Sequence, residues 1–457
     1  MGTSWLADAE PETAWAHHAW TDFAALAQPE YAVVVLPVHG FADHGADRSL
    51  DIEEVLGSAV LRAAVEQAKT RFVVRVLPPL RFATAATPGG FFGLDFDTAG
   101  DVVQGIAAGV KAAGFQKLVL FNTSPVNEPF VGAAALEARA GLGLRTYVIQ
   151  AGSLGFDPAR QRAADLGSHA RHLAGLLEEI RLHLAPPLAP ADRPPPAAPA
   201  PDGFPVFRSR YLPALAPAQL ATLPATVDLL AILPTAAIEQ HGPHLPVGVD
   251  AILGHALLDA ALSRLPPDVP ALVAPPVTYG ASDEHRGFPG TIAISPRTLR
   301  RVVLAIAAQL RALGLRRLAV FNTHGGNSAV LALVVREIQE TLGLDARLLR
   351  HGYQPDVSAQ EAAWGFHADA WETGLMLACA PELVRMDQAI GEYPARLDDP
   401  GELRPEHAAA TYAWMTRDIS RSGIIGDPTG ATPADGRRWL AAASERLAGE
   451  IRRRDNT

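Results

Sequence analysis

"SPRTLRRVVLAIAAQLRALGLRRLAVFNTHGGN", residues 295–327, holds a helix, a strand and a chemically loaded loop in one run. Ser295 stands where a helix N-cap belongs, and Pro296 takes the first helical position. Leu299, Val302, Val303, Ile306, Leu310 and Leu313 recur at helical spacing as one apolar stripe, which Gly314 ends. "LRRLAVFN" then reads as a short strand buried on both faces, and "THGGN" as the polar loop beyond its carboxyl end. Strands alternating with helices predict an α/β fold, a mostly parallel sheet flanked by helices. Such sheets bind ligands at the carboxyl ends of their strands.

The same stretch occurs twice. "DFDTAGDVVQGIAAGVKAAGFQKLVLFNTSPVN", residues 95–127, aligns with it without a gap. Val102, Val103, Ile106, Gly114, Phe121, Asn122, Thr123 and Asn127 reappear as Val302, Val303, Ile306, Gly314, Phe321, Asn322, Thr323 and Asn327. Upstream, "VLPPLRF" answers "VAPPVTY" and "GFFG" answers "GFPG". The chain therefore reads as two copies of one domain. Between them "APPLAPADRPPPAAPAPDGFP", residues 185–205, has too many prolines for a helix interior or a central strand and predicts a semi-extended linker. The expected organisation is a first domain over 1–184, the linker at 185–205, and a second domain over 206–457, each a three-layer α/β/α unit.

Composition narrows the function. The 457 residues carry a formal charge of -10, with 19% charged and 48% apolar residues. That balance is ordinary for a globular protein and argues against a nucleic-acid or anionic-membrane partner. No apolar run is long enough to span a bilayer, and the first thirty residues lack the basic-then-apolar order of a signal peptide. The single cysteine, Cys379, excludes an internal disulfide and fits a reducing compartment, so a cytoplasmic location is expected.

The second copy carries the chemistry. "AAIEQHGPHLPVGVD", residues 236–250, gathers Glu239, His241, His244 and Asp250 directly after the buried run "LLAILP". His324 sits in "NTHGGNS", and "GFHADAWETGLML" adds His367 and Glu372. Imidazoles and carboxylates brought from separate strand ends suit a divalent ion of intermediate hardness such as zinc or manganese. The extra carboxylates permit a bridged pair with Asp250 between the ions. His244 reads as a structural hydrogen-bonding residue. Asp283, Glu284 and His285 read equally as a solvated loop or a substrate contact.

Taken in order, "LPTAAIEQHGPHLPVGVD", "YGASDEHRGFPGTI", "FNTHGGN", "GFHADAWET" and "SGIIGDPTGATPADG" resemble the creatininase family of metal-dependent amidohydrolases, from about Arg208 onward. By position the resemblance implies that Glu239 and His324 bind one ion, that His241 binds a second, and that Asp250 bridges. Creatininase itself has a metal-binding Glu two places after the position of His324. Here that place is Gly326, which speaks against creatinine as substrate and moves the ligand role to Glu372. The resemblance further implies two divalent ions (zinc, manganese or iron) and a hydroxide generated on them that attacks an amide carbonyl. Catalysis would rest on His367 and Glu372, with His367 giving a proton to the leaving nitrogen. Glu284 and His285 would contact substrate. The expected substrate is a small cyclic or linear amide, with a ribosomally made precursor peptide as the alternative, and the expected assembly is a homo-oligomer. A non-catalytic scaffold is the reading of another class. The intact ligand set and the retained His367 argue against it.

The first copy has lost this set. Ala42 stands opposite Glu239, His44 opposite His241, Ser124 opposite His324, Ala174 opposite Glu372, and Thr87 and Pro88 opposite Glu284 and His285. His169 remains opposite His367, and Glu53 falls opposite Asp250. His44, Glu53 and Asp43 are all that is left for a mononuclear site. The first half is thus expected to be non-catalytic, serving as a docking surface or as a built-in dimer partner.

Overall fold

The computed structural model describes residues 6, 10–45, 47–82, 84, 90–160, 166–182, 210–222, 229–395 and 413–453. The expected linker at 185–205, with Thr87 and Pro88, lies outside the described residues.

Strands of the first half are β1 (Val33–Val38), β2 (Phe41–Ala42), β3 (Val74–Val76), β4 (Gly90–Phe91), β5 (Lys117–Asn122) and β6 (Arg145–Gln150). Its helices are α1 (Trp20–Ala24), α2 (Ile52–Ala68), α3 (Phe96–Ala112), α4 (Glu128–Leu142) and α5 (Leu166–Leu182). The second half has strands β7 (Leu230–Thr235), β8 (Ala271–Val273), β9 (Arg317–Asn322) and β10 (Asp345–Leu349). Its helices are α6 (Pro217–Thr222), α7 (Val249–Leu262), α8 (Pro296–Ala312), α9 (Ser328–Leu342), α10 (Ala359–Trp364), α11 (Ala370–Cys379), α12 (Thr416–Ile419) and α13 (Pro433–Arg452).

Both halves build the same four-stranded parallel sheet, ordered β3-β1-β5-β6 and β8-β7-β9-β10. Strands β1 and β7 are buried along their whole length, as central strands covered on both faces must be. The helix starts follow their caps. Ser295 Oγ accepts the Thr298 N–H at 3.1 Å, and Asp95 Oδ1 accepts the Thr98 N–H at 2.8 Å. The helix ends follow the glycines, with Gly114 at φ +90° and Gly314 at φ +92°. In the second half β7 and β9 are neighbours, so the loops leaving their carboxyl ends, with Glu239 and His324, emerge side by side.

The two halves face each other across a pseudo-two-fold axis. Asp101 and Arg301 occupy equivalent positions and form an ion pair with one another. A small cavity between the halves is lined by equivalent residues from each: Pro79 and Pro276, Leu94 and Ile294, Val102 and Val302. Main-chain bonds are exchanged in kind. Leu50 and Asp51 donate N–H groups to the carbonyls of Leu215 and Pro213, while Val247 and Gly248 donate to those of His18 and Ala16. One hydrophobic core runs through both halves, and a second, formed by α2, α5 and β1, covers the far face of the first sheet. Gly105 and Gly109 on α3 let it approach Ile292–Ile294 more closely than a β-carbon would allow.

Candidate metal centre

Glu239 and His241 lie on the loop after β7, Asp250 in the first turn of α7, His324 after β9, and Glu372 in the first turn of α11. Glu239, His241, Asp250 and His324 are all at most 3% exposed. Their ligand atoms fall into two triads that share Asp250, one of Glu239, Asp250 and His324 and one of His241, Asp250 and Glu372, with donors within 4.8 Å of one another. Asp250 Oδ2 lies 3.4 Å from His324 Nδ1, and Asp250 Oδ1 lies 3.6 Å from His241 Nε2. Two further groups of donors overlap these triads, Glu239 with His241 and His367, and Glu239 with Glu284 and His285.

Each imidazole is turned by a carbonyl. His241 Nδ1–H donates to the Glu239 carbonyl at 3.0 Å, leaving the Nε2 lone pair toward Asp250 and Glu372. His324 Nε2–H donates to the Ala281 carbonyl at 2.9 Å, leaving Nδ1 facing Glu239 Oε2 at 3.2 Å. A hydrogen bond that fixes the tautomer in this way is how proteins orient metal-binding histidines. Among the described residues Glu239 Oε2, His241 Nε2 and Asp250 Oδ2 are buried without a hydrogen-bond partner. Three converging orphans of this kind are costly unless a cation satisfies them, so the donor set fits divalent metal.

The electrostatics agree. Burial alone would lower the pKa of His241, but the carboxylates of Glu372, Asp250 and Glu239 push it up to about 10. Burial and nearby carboxylates push Glu284 up to about 7, and burial lifts Glu372 to about 8 against the pull of His241. His241, Glu284 and Glu372 are thus all pushed toward holding a proton, the response of a buried cluster crowded with carboxylates.

His367 Nε2–H donates to the Gln240 carbonyl at 2.8 Å, and its Nδ1 lies 3.8 Å from Glu239 Oε1. Burial, with the neighbouring histidines, holds the His367 pKa well below the usual range, so the ring is neutral. His285 stacks on it at 4.2 Å between ring centres. His285 Nδ1 accepts from the Gln240 amide and the Thr416 hydroxyl, both at 2.9 Å, which sends Nε2–H toward Glu239 Oε1 at 3.4 Å. His244 belongs to none of the donor groups; its Nε2 lies 2.9 Å from Thr373 Oγ1 on α11. Asp283 pairs with Arg286 at 2.6 Å on the surface.

Sequence reading passed over Gln240, although it sits between two ligands. Its buried amide nitrogen donates to the Gly423 carbonyl at 3.0 Å, and its Oε1 accepts the Gly242 N–H at 2.9 Å. A polar residue locked between Glu239 and His241 was the available signal. Glu361 and Asp369 were also missed. Asp369 caps α11 through the Glu372 N–H at 3.0 Å, and Glu361 accepts the Ala370 N–H, the Tyr393 hydroxyl and the Asp427 N–H. Nothing local marks them, because their partners come from distant loops. Gly326 has a clear cause: a β-carbon there would collide with Glu284 Oε1, the Ala281 carbonyl and His324 Nε2. The Glu284 carboxylate fills the space a side chain at 326 would need.

In the first half the equivalent positions hold no such cluster among the described residues. His44 Nε2 and Glu53 Oε1 are 2.7 Å apart, and Glu53 Oε2 accepts the Gly40 N–H at 2.9 Å. Asp43 accepts the Gly45 N–H on the surface, and His169 Nδ1–H donates to the Leu154 carbonyl at 2.8 Å.

The sequence profile of the creatininase family (creatinine amidohydrolase) matches the chain twice, over residues 16–212 and 213–451. The mycofactocin precursor peptide peptidase of Mycolicibacterium smegmatis is 34% identical over 226 residues, 49% of this chain and 85% of that protein. The creatinine amidohydrolase of Pseudomonas putida is 32% identical over 209 residues, 41% of this chain and 78% of that protein. Among solved structures, creatinine amidohydrolase (creatininase) aligns with a TM-score of 0.44 at 25% identity, over 53% of this chain and 96% of that one.

Proposed function

The chain belongs to the creatininase family of hydrolases acting on carbon–nitrogen bonds, and on that premise we propose that its second half is a binuclear amidohydrolase and its first half a non-catalytic copy. The observation that carries this reading is the convergence of three unpartnered buried donors, Glu239 Oε2, His241 Nε2 and Asp250 Oδ2. Glu239 and His324 would hold one ion and His241 and Glu372 the other, with Asp250 Oδ2 facing His324 and Oδ1 facing His241. Divalent ions there, zinc, manganese or iron, would supply Lewis acidity and lower the pKa of water toward about 7.

The residues of the chain do the rest. His367 is neutral and has Nδ1 free beside Glu239, so it takes the proton released as water attacks the carbonyl and returns it to the leaving nitrogen. His285, buried with both nitrogens engaged, orients Glu239. Glu284, whose side chain is 21% exposed, is the member of the pair left to meet substrate.

Two substrate classes compete. An amide in a precursor peptide is favoured by the relative from M. smegmatis, and by Gly326, where no carboxylate side chain fits. A small cyclic or linear amide is favoured by the relative from P. putida. The domain boundary is placed at the proline-rich segment 185–205, and the enzyme is proposed to work as a cytoplasmic homo-oligomer. Among the described residues no helix is long and apolar enough to cross a membrane. Hydrolysis of a panel of peptide and small amides by the full chain and by Glu239→Ala tests the proposal. Equal rates for the two proteins would sink it.

A further inference from the structure

The main-chain exchange between the halves is symmetric through residue 18, but the side chains of the segments that follow are not. In the second half the segment following Pro213 leads into α6, which carries Pro217, Gln219 and Leu220. In the first half the equivalent segment leads into α1, which carries Trp20, Asp22 and Phe23. All three side chains reach loops of the opposite half that adjoin the metal-ligand cluster.

Trp20 Nε1–H donates to the Ser422 carbonyl at 3.0 Å, and its ring meets Phe288 edge-on at 5.4 Å. Phe288 lies three residues beyond His285. Ser422 precedes Gly423, whose carbonyl accepts from the Gln240 amide and whose φ of +92° admits no side chain beside Gln240. A single indole thus ties together the two loops that hold His285 and Gln240. Asp22 receives both guanidinium nitrogens of Arg385 at 2.6 and 2.7 Å, and the Arg385 N–H donates to the His244 carbonyl. Phe23 packs where Gly290 closes the "GFPG" loop.

We propose that the first half is a built-in partner subunit, and that Trp20 is a positioning residue for the second half's site, fixing the 284–288 and 420–425 loops and thereby setting how substrate is bound. This rests on the hydrolase reading for its kinetic part only. Trp20 thus gives the copy without the chemistry a part in the site of the copy that has it.

The test uses the full chain with Trp20→Phe, which keeps the ring and removes the N–H, and Trp20→Ala, which removes both. Metal content and melting temperature identify any variant that has failed to fold, and Trp20→Phe keeps the question open if Trp20→Ala does. Hydrogen–deuterium exchange of 284–288 and 420–425 should rise in both variants, more in Trp20→Ala, while β9 and α8 stay protected. KM for a hydrolysed amide should rise roughly 3- to 10-fold, the scale of a lost buried hydrogen bond, with metal content unchanged and kcat less affected. Unchanged exchange in these loops, or an unchanged KM, overturns the proposal. Were the wild type to hydrolyse none of the amides, the hydrolase reading would fall while exchange still decided the loop claim.

Discussion

His44 and Glu53 are 2.7 Å apart, whereas their counterparts His241 and Asp250 are 3.6 Å apart. The first pair has closed on itself and the second is held open. The difference is one methylene: Glu53 reaches the imidazole that the shorter Asp250 cannot touch, and Glu53 Oε2 is taken by the Gly40 N–H. Position 124 completes the contrast. Ser124 replaces an imidazole, and its buried Oγ has no partner among the described residues. In the first half the acid and the imidazole satisfy each other. In the second, Glu239, His241 and Asp250 keep buried atoms without hydrogen-bond partners within the cluster of donors.

The largest expected effect follows directly. Glu239→Ala should abolish measurable hydrolysis and bring metal content, read by elemental analysis, from about two ions per chain to about one. Retained metal with retained activity would remove the distinction between the halves. His367→Ala should lower kcat by about 10²- to 10⁴-fold, as loss of a proton-transfer group does, while metal content stays near two. Loss of an ion from that variant would make His367 a ligand instead, which its position near Glu239 and His241 also allows.

Gln240→Ala tests the support of the open site. It should cost roughly 10- to 100-fold in metal affinity or activity, the usual scale for a residue that orients ligands. Glu53→Gln and His44→Ala carry the opposite expectation for the closed pair. Metal content and kcat should be unchanged, and stability measured by urea unfolding should fall by about 1–3 kcal/mol. A drop in metal content would show that the first half still binds an ion.

The last prediction concerns pH and leaves stability at neutral pH unchanged. Burial, with the nearby Arg81 charge, lowers the pKa of His39 from 6.5 to about 3. As pH falls below about 6.5 the unfolded chain binds a proton that the folded His39 refuses, so folded stability declines from there down to about pH 3 and no further. His39→Gln should flatten the melting-temperature curve across that window relative to wild type. Identical curves would show that His39 is not held neutral.

Much of this was legible in the residues alone. The duplication and the parallel α/β sheets could be read, and Glu239, His241, Asp250, His324, His367 and Glu372 stood out as candidates, because apolar periodicity and ligand types are properties of short stretches. Even the loss in the first half was visible, since Ala42 and Ser124 cannot replace a carboxylate and an imidazole. His285 was legible as a residue of interest but not as a buried partner of Glu239, since that depends on Thr416, 131 positions away.

What only the tertiary structure decided is how these residues meet. Which nitrogen of His241 or His324 is free depends on which carbonyl holds the other. That Gly326 makes room for Glu284 depends on a loop some forty residues upstream. The pseudo-two-fold axis pairs Asp101 with Arg301, and α1 of one half sets Trp20 against Phe288 and Ser422 of the other. A sequence states which donors exist. Their directions and distances are fixed by contacts that range from Glu239 beside His241 to Thr416 against His285, and only the folded chain brings the distant ones together.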